Sequence, residues 1–186
     1  LQHNSKLRLL NLNGNDLGRS GGSSLIRSLK SNTTLDSLSI GSTNIDANVI
    51  IELSSHMQSS CSIRHLDISN PVRKRRESDV IFQWIGKFIR WSRSLESLCL
   101  QKMDIGDSEI DILKTYLADN KTLKSLDLSR NRINAKGASV LSRLVSNGQC
   151  ALTQLDVSSN QIGDKGAMAF AVTISDDATP EKLSVA

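Results

Sequence analysis

The chain has 186 residues, 38% hydrophobic and 23% charged, with two prolines and a formal net charge of +4. That length supports one folded domain with its own core, and no run of about twenty apolar residues exists to cross a bilayer as a helix. Cys61, Cys99 and Cys150 are an odd, widely spaced set with no C-x-x-C or histidine spacing. They read as free thiols of a reducing compartment, and neither a metal nor a cofactor is expected.

Taken in order, the chain is a series of approximate copies. Leu1 to Asn4 match Leu29 to Asn32, so the chain opens on the tail of a repeat and reads as a piece of a longer protein. Copies then begin at Leu7, Leu35, Ile63, Leu95, Leu123 and Leu152, with spacings of 28, 28, 32, 28 and 29 residues, and a partial copy starts near Pro180. In the clearest copy, Leu123 to Ile133 (LKSLDLSRNRI), Leu126 and Leu128 alternate with Asp127 and Ser129, which predicts a short strand with one apolar face. The corresponding strands fall at Leu10 to Leu12, Leu38 to Ile40, Leu66 to Ile68, Leu98 to Leu100, Leu126 to Leu128 and Leu155 to Val157. After Ile133 the period becomes helical, through Ala138, Leu141 and Val145, and Gly137 marks a close approach to a neighbouring coil. Pairs at i, i+4 supply the other helical cores: Leu25 and Leu29, Leu53 and Met57, Leu113 and Leu117, Phe170 and Ile174.

The ninth place of each copy carries a second regularity. Asn15, Asn131 and Asn160 stand there, and their side chains are expected to bond the backbone of the adjacent loop. Thr43 can do part of this and Met103 cannot. Asn32-Thr33-Thr34 and Asn120-Lys121-Thr122 are formal glycosylation sequons, but both fall at the same place in the repeat, which predicts a structural role. The glycine-rich entries Leu17 to Gly22 and Ile162 to Ala167 lack G-K-[ST], so packing explains them better than phosphate binding.

The third copy is irregular. Its excess lies in Pro71 to Asp79 (PVRKRRESD), and the helix after it carries Trp84 and Trp91. From Pro71 to Ser94 there are seven positive and two negative residues, a net of +5 against +4 for the whole chain. The basic balance is therefore local, and the segment is expected to bulge outward. Arg73, Lys74, Arg75 and Arg76 offer contacts to nucleic acid or an anionic membrane; the bland alternative is that the tryptophans pack on the next repeat and the arginines are solvated. Ser78, two residues after an arginine pair, resembles a basophilic kinase site.

The pattern L-x-x-L-x-L-x-x-N-x-I, filled here by Leu123, Leu126, Leu128, Asn131 and Ile133, resembles the leucine-rich repeat signature. The period of about 28 residues with a full helix is similar to the ribonuclease-inhibitor-like subtype. The resemblance covers essentially the whole chain and implies an α/β fold: a right-handed solenoid with a parallel sheet inside and helices outside. It also implies an intracellular, cytoplasmic protein-interaction module without catalysis. The runner-up is a regulator of a small GTPase, resembling the activator of the Ran GTPase.

In such a solenoid the third, fifth and seventh places of each copy face the concave side. His65, Asp67, Cys99, Gln101, Asp127 and Asp156 are the candidate binding residues there. Asp127 and Asp156 become direct neighbours, a repulsion that a basic partner would relieve; screened carboxylates on a wet surface are the alternative. A catalytic set of Cys99, His65 and an aspartate fails because flanking carboxylates disfavour the thiolate. Both end strands are expected to be open to end-to-end self-association.

Overall fold

Each strand is only three residues long, because only the third to fifth places of a repeat keep both backbone groups in the ladder. The computed structural model describes residues 1, 4–59, 62–72, 78–146, 148, 150–174 and 182–184. The order is β1 (Leu9–Asn11), α1 (Gly18–Leu29), β2 (Ser37–Ser39), α2 (Ala47–Ser59), β3 (His65–Asp67), α3 (Ser78–Trp91), β4 (Ser97–Cys99), α4 (Asp107–Asp119), β5 (Ser125–Asp127), α5 (Ala135–Ser146), β6 (Gln154–Asp156), α6 (Gly163–Ile174) and β7 (Lys182–Ser184). The seven strands form one parallel sheet in sequence order, with equivalent places paired, as in Leu98 to Leu126 and Leu126 to Leu155.

The six strands expected from alternation are present, each displaced one residue towards the N-terminus. The cause is the sixth residue. Its amide still donates to the next strand, as Leu100 does to Asp127 and Leu128 to Asp156. Except in the third repeat, where Pro71 stands at the ninth place, a ninth-place side chain takes its carbonyl out of the ladder. Asn131 Nδ2 donates to Leu100 and Leu128, Asn160 Nδ2 to Leu128 and Val157, and Thr43 Oγ1 to Ile40 at 2.6 Å. Thr43 therefore does the part of the task assigned to it. Met103, wholly buried, does none.

The eighth place shows what the turn costs. Gly14, Ser42, Asn70, Lys102, Arg130 and Ser159 all have φ between 51° and 75°, a left-handed conformation that costs a side-chain-bearing residue about 1–2 kcal/mol. Cross-coil bonds hold it: the amides of Ser42, Asn70 and Arg130 donate to Ser69, Gln101 and Ser158 of the following coil. In the two repeats with Thr43 and Met103 at the ninth place, the tenth residues Asn44 and Asp104 are left-handed as well.

The core lies between sheet and helices. Leu38, Leu66, Leu98, Leu126 and Leu155 at the fourth place, and Ile40, Ile68, Leu100, Leu128 and Val157 at the sixth, are all buried, each contributing roughly 2 kcal/mol of transfer free energy. Helix α3 adds Ile81, Phe82, Ile85, Phe88 and Ile89, all fully buried. Leu53 and Met57, and Leu113 and Leu117, are buried as their spacing predicts. Leu25 is only half-buried beside buried Leu29, and the side chain of Ile174 lies outside the described residues.

The sequon asparagines hold loops together. Asn120, 3% exposed, accepts from the amides of Thr122 and Leu123 and donates to the Ile89 carbonyl of the preceding coil. Asn32 accepts from Thr34 and Leu35 and donates to Leu1 and Asn4. Neither amide nitrogen is available for a glycan in the folded chain.

Candidate protein-binding face

Alternation along three-residue strands sends the middle side chain into the core and the flanking two outward, and the burial of β2 to β6 follows that rule. The concave surface thus collects the third and fifth places in columns. His65 is exposed, and Asp67, Cys99, Asp127, Asp156 and Gln101 are partly exposed. The paired registers put Asp67 beside Cys99, Cys99 beside Asp127 and Asp127 beside Asp156. The seventh place is less open than expected: Ser129 is 4% exposed and Gly41 is buried.

The aspartates have a structural task that the sequence reading missed. Asp67, Asp127 and Asp156 each accept the amide two residues on, from Ser69, Ser129 and Ser158, at 2.9 Å. Asn11 does the same for Asn13 at 2.9 Å. This local bond helps turn the chain out of the strand. The second oxygens of Asp67 and Asp127 are also engaged: Asn13 Nδ2 donates to Asp67 at 2.7 Å, and Gln101 Nε2 donates to Asp127 at 2.5 Å. Over Gly41 the fit is tight, since a Cβ there would stand 2.3 Å from Ser69 Oγ and 3.0 Å from Asp67 Oδ1. The like-charge pairing of Asp127 and Asp156 is therefore supported from within the chain by hydrogen bonds, before any partner arrives.

Cys99 is the one strongly perturbed group on this face, its thiol pushed up to about 12. Burial is the largest cause, and the charges of Asp67 and Asp127 add to it. Its Sγ lies 3.8 Å from Asp127 Oδ2. The electrostatic argument against a thiolate nucleophile has the right sign, but desolvation outweighs the carboxylates it relied on.

A further column went unread although the sequence contains it. At the second place Arg8, Asp36, Arg64, Glu96 and Lys124 alternate in sign across five adjacent coils. Arg64 pairs with Asp36 at 3.2 Å and with Glu96 at 2.6 Å, and Lys124 reaches Glu96 at 3.2 Å. The carboxyl of Glu96 is held below its usual range by its bonds to Lys124 and then Arg64.

Of the basic segment, Arg73, Lys74, Arg75 and Arg76 lie outside the described residues, so the expected bulge is not described either. Ser78 is the first residue of α3, so the last two residues assigned to that bulge, Ser78 and Asp79, belong to the helix. Two cations of the patch are used within the chain: Lys87 Nζ sits 4.5 Å over the Trp84 ring, and Arg90 pairs with Asp119 at 2.9 Å. Trp91 does not pack away as the bland reading expects and stays 49% exposed.

A family model described as a leucine-rich repeat matches residues 3–25, 119–142 and 149–171. Those stretches carry leucine-rich repeats, and the seven-stranded parallel sheet in sequence order gives the chain the fold of a leucine-rich-repeat solenoid. The chain is 28% identical over 154 residues to NACHT, LRR and PYD domains-containing protein 14 of Homo sapiens, covering 82% of this chain and 14% of that protein. It is 28% identical over 156 residues to the Mus musculus protein of the same name, covering 83% of this chain and 15% of that one. The chain thus spans about one seventh of the length of these relatives.

Among solved structures, the chain is similar to the tropomodulin C-terminal domain of Caenorhabditis elegans, with TM-score 0.58, 16% identity and coverage of 76% of this chain and 83% of that one. It is also similar to the leiomodin-1 actin-binding site 2, with TM-score 0.50, 21% identity and coverage of 57% and 62%. Identities at this level carry the fold alone. No helix among the described residues is long and apolar enough to cross a membrane, and no group of three or more metal-ligating side chains occurs among them.

Proposed function

We propose that residues 1–186 form one leucine-rich repeat domain of the ribonuclease-inhibitor-like subtype, acting inside the cell as a protein-interaction module without catalysis of its own. The subtype rests on the 28-residue spacing and on helices of 12 to 14 residues in each repeat. The partner sits on the concave face. The observation that carries this is the column Asp67, Cys99, Asp127, Asp156, which presents three carboxylates and a neutral thiol across four adjacent strands. Flanking residues such as Ser97, Ser125 and Ser69 are short enough to let a partner's backbone approach.

The partner's chemistry follows from the charge: a basic segment, whose Lys or Arg side chains extend to the carboxylates. The similar leiomodin-1 structure is an actin-binding site, an instance of the same fold in protein binding. Nothing in the geometry favours the alternative of a small-GTPase regulator.

The test uses a triple variant, Asp67→Asn, Asp127→Asn and Asp156→Asn. Asparagine keeps the turn bond, as Asn11 does natively, and removes the charge. A basic fifteen-residue peptide should bind the wild type in a salt-dependent way and bind the variant at least tenfold more weakly, at a temperature where circular dichroism shows the variant folded. Some stability is lost because asparagine cannot accept from Asn13 and Gln101 as the second oxygens of Asp67 and Asp127 do. Equal binding by the variant, or by an acidic control peptide, refutes the reading.

A further inference from the structure

On the opposite side of the solenoid from the sheet, helices α1 and α2 part to leave an open cleft of about 710 Å³, lined by Ser23, Ile26, Arg27, Lys30, Ile51 and His56, with Glu52 and Ser55 on its α2 wall. The local sequence accounts for the gap. Helix α1 carries Gly21 and Gly22 in its first half, which lets the next coil approach closely there. Val49 and Ile45 close over Gly22, where a Cβ would meet them at 2.8 and 2.9 Å. The gap therefore opens towards the C-terminal end of the pair, where Arg27 and Lys30 stand.

The charge of this cleft is uneven. At one end Ser23 Oγ donates to Glu52 Oε1 at 3.1 Å, so that carboxylate is engaged. Arg27 makes its bond to Ser24 Oγ at 3.2 Å, and among the described residues neither Arg27 nor Lys30 forms a salt bridge with a carboxylate. His56 lies 7% exposed in the wall. Burial first and the charge of Lys30 second hold its imidazole below the usual range. Ile51, partly exposed, supplies the apolar surface between the two ends, over the buried Ile26.

We infer that the α1–α2 cleft is a binding site for a small organic anion with an apolar body, its head group held by Arg27 and Lys30 and its body laid against Ile51. The volume falls in the range of about 300–1,000 Å³ typical of small-molecule sites, which combine a largely apolar lining with a few placed polar groups. The two cations select a carboxylate or phosphate head. The bonded Glu52 fixes the orientation, since a head group at that end would meet a like charge.

Octanoate is the probe, with octanol and inorganic phosphate as controls that each lack one half of the chemistry. The 186-residue chain is titrated while the His56 ring C–H signals are followed by nuclear magnetic resonance. Octanoate should shift them saturably, while octanol and phosphate each bind at least tenfold more weakly. The double variant Arg27→Gln, Lys30→Gln changes two exposed side chains and should keep the fold, checked by circular dichroism, while losing at least tenfold in octanoate affinity. Linear, non-saturating shifts, equal binding of octanol, or undiminished affinity in a folded double variant would each overturn the inference. Because the concave face is not involved, the triple aspartate variant should bind octanoate normally, so this inference and the proposed function fail independently.

Discussion

The backbone amide of Met103 donates to the side-chain oxygen of Asn131, 2.9 Å away on the next coil. A repeat whose own ninth residue is apolar is thus served by its neighbour. The same oxygen accepts from Ile105, and the Asn131 nitrogen donates to Leu100, Leu128 and Ser129. Asn131→Ala would leave several buried backbone groups without partners, each costing about 1–3 kcal/mol. We expect a loss of roughly 3 kcal/mol or more in urea denaturation. Asn15→Ala should cost much less, because Asn15 is exposed and bonds only Leu12 and Asn13 of its own loop. Equal losses at the two positions would contradict this account.

The left-handed eighth place makes a prediction at a surface residue with no core contact. Arg130 has φ 58°. A β-branched side chain tolerates that conformation worst and glycine best. Arg130→Val should therefore destabilise by about 1 kcal/mol or more, whereas Arg130→Gly should be neutral or mildly stabilising. Thermal melts of the pair decide it, and a valine variant as stable as the glycine one would show that the turn carries no such preference.

How much of this was legible beforehand differs by level. The strand order and the buried fourth and sixth places follow from Leu126 and Leu128 alternating with Asp127 and Ser129, since the period of two is a direct consequence of the pleat. The ninth-place asparagines and the sequon asparagines were readable because they recur at one register. The eighth place was not readable: Ser42, Asn70, Lys102 and Arg130 share a backbone conformation and no side-chain property, and the cross-coil amide bonds that impose it leave no mark on residue type. The second-place charges Arg8, Asp36, Arg64, Glu96 and Lys124 were in plain view, but only a reading down the columns reveals the alternation. The cleft beside His56 depends on how far two helices separate, which pairwise spacing does not encode.

Cys99 should react slowly. Raising a thiol from 9.0 to about 12 cuts its thiolate fraction near neutral pH by about a thousandfold. The more basic thiolate recovers part of that through a Brønsted slope of about 0.4–0.5, leaving a net slowing of roughly thirty- to sixtyfold. Iodoacetamide labelling at pH 8, resolved by peptide mass, should show this for Cys99 against a denatured control. A rate equal to the control would remove both the burial argument and the charge argument.

His56 gives a pH dependence of definite sign. Its imidazole is held below 6.5, by burial and then by Lys30, so the unfolded chain takes up a proton before the folded one. Its contribution to stability is fully present above 6.5 and is lost as pH falls through the folded value. Glu96 is also lowered and acts with the same sign, but in a window below 4.5, so measurements from pH 7.5 to 5 isolate the histidine. Wild-type stability should fall more steeply over that range than that of His56→Gln. Parallel curves would mean that His56 titrates alike in both states.

The tightest helix contact offers a test in which one substitution changes the sign of another. Gly86 of α3 faces Tyr116 of α4, and a Cβ on Gly86 would stand 2.1 Å from Tyr116 Cδ2 and 2.5 Å from its Cε2. A contact that short forces the ring or the helix to move, and overpacking of this kind costs about 1–3 kcal/mol. Against it stands the gain of about 1 kcal/mol from replacing a mid-helix glycine by alanine. In the native background the clash wins, so Gly86→Ala should lower stability. Tyr116→Ala removes the ring and costs stability by itself, but in that background the three shortest contacts of the new Cβ, all to the ring, are gone, so the helix-propensity gain should prevail and Gly86→Ala should raise stability. Urea denaturation of the four proteins closes the cycle, with a coupling energy above about 1 kcal/mol expected for two groups in direct contact. If Gly86→Ala destabilises equally with and without the tyrosine ring, the glycine is required for some reason other than the approach of α4.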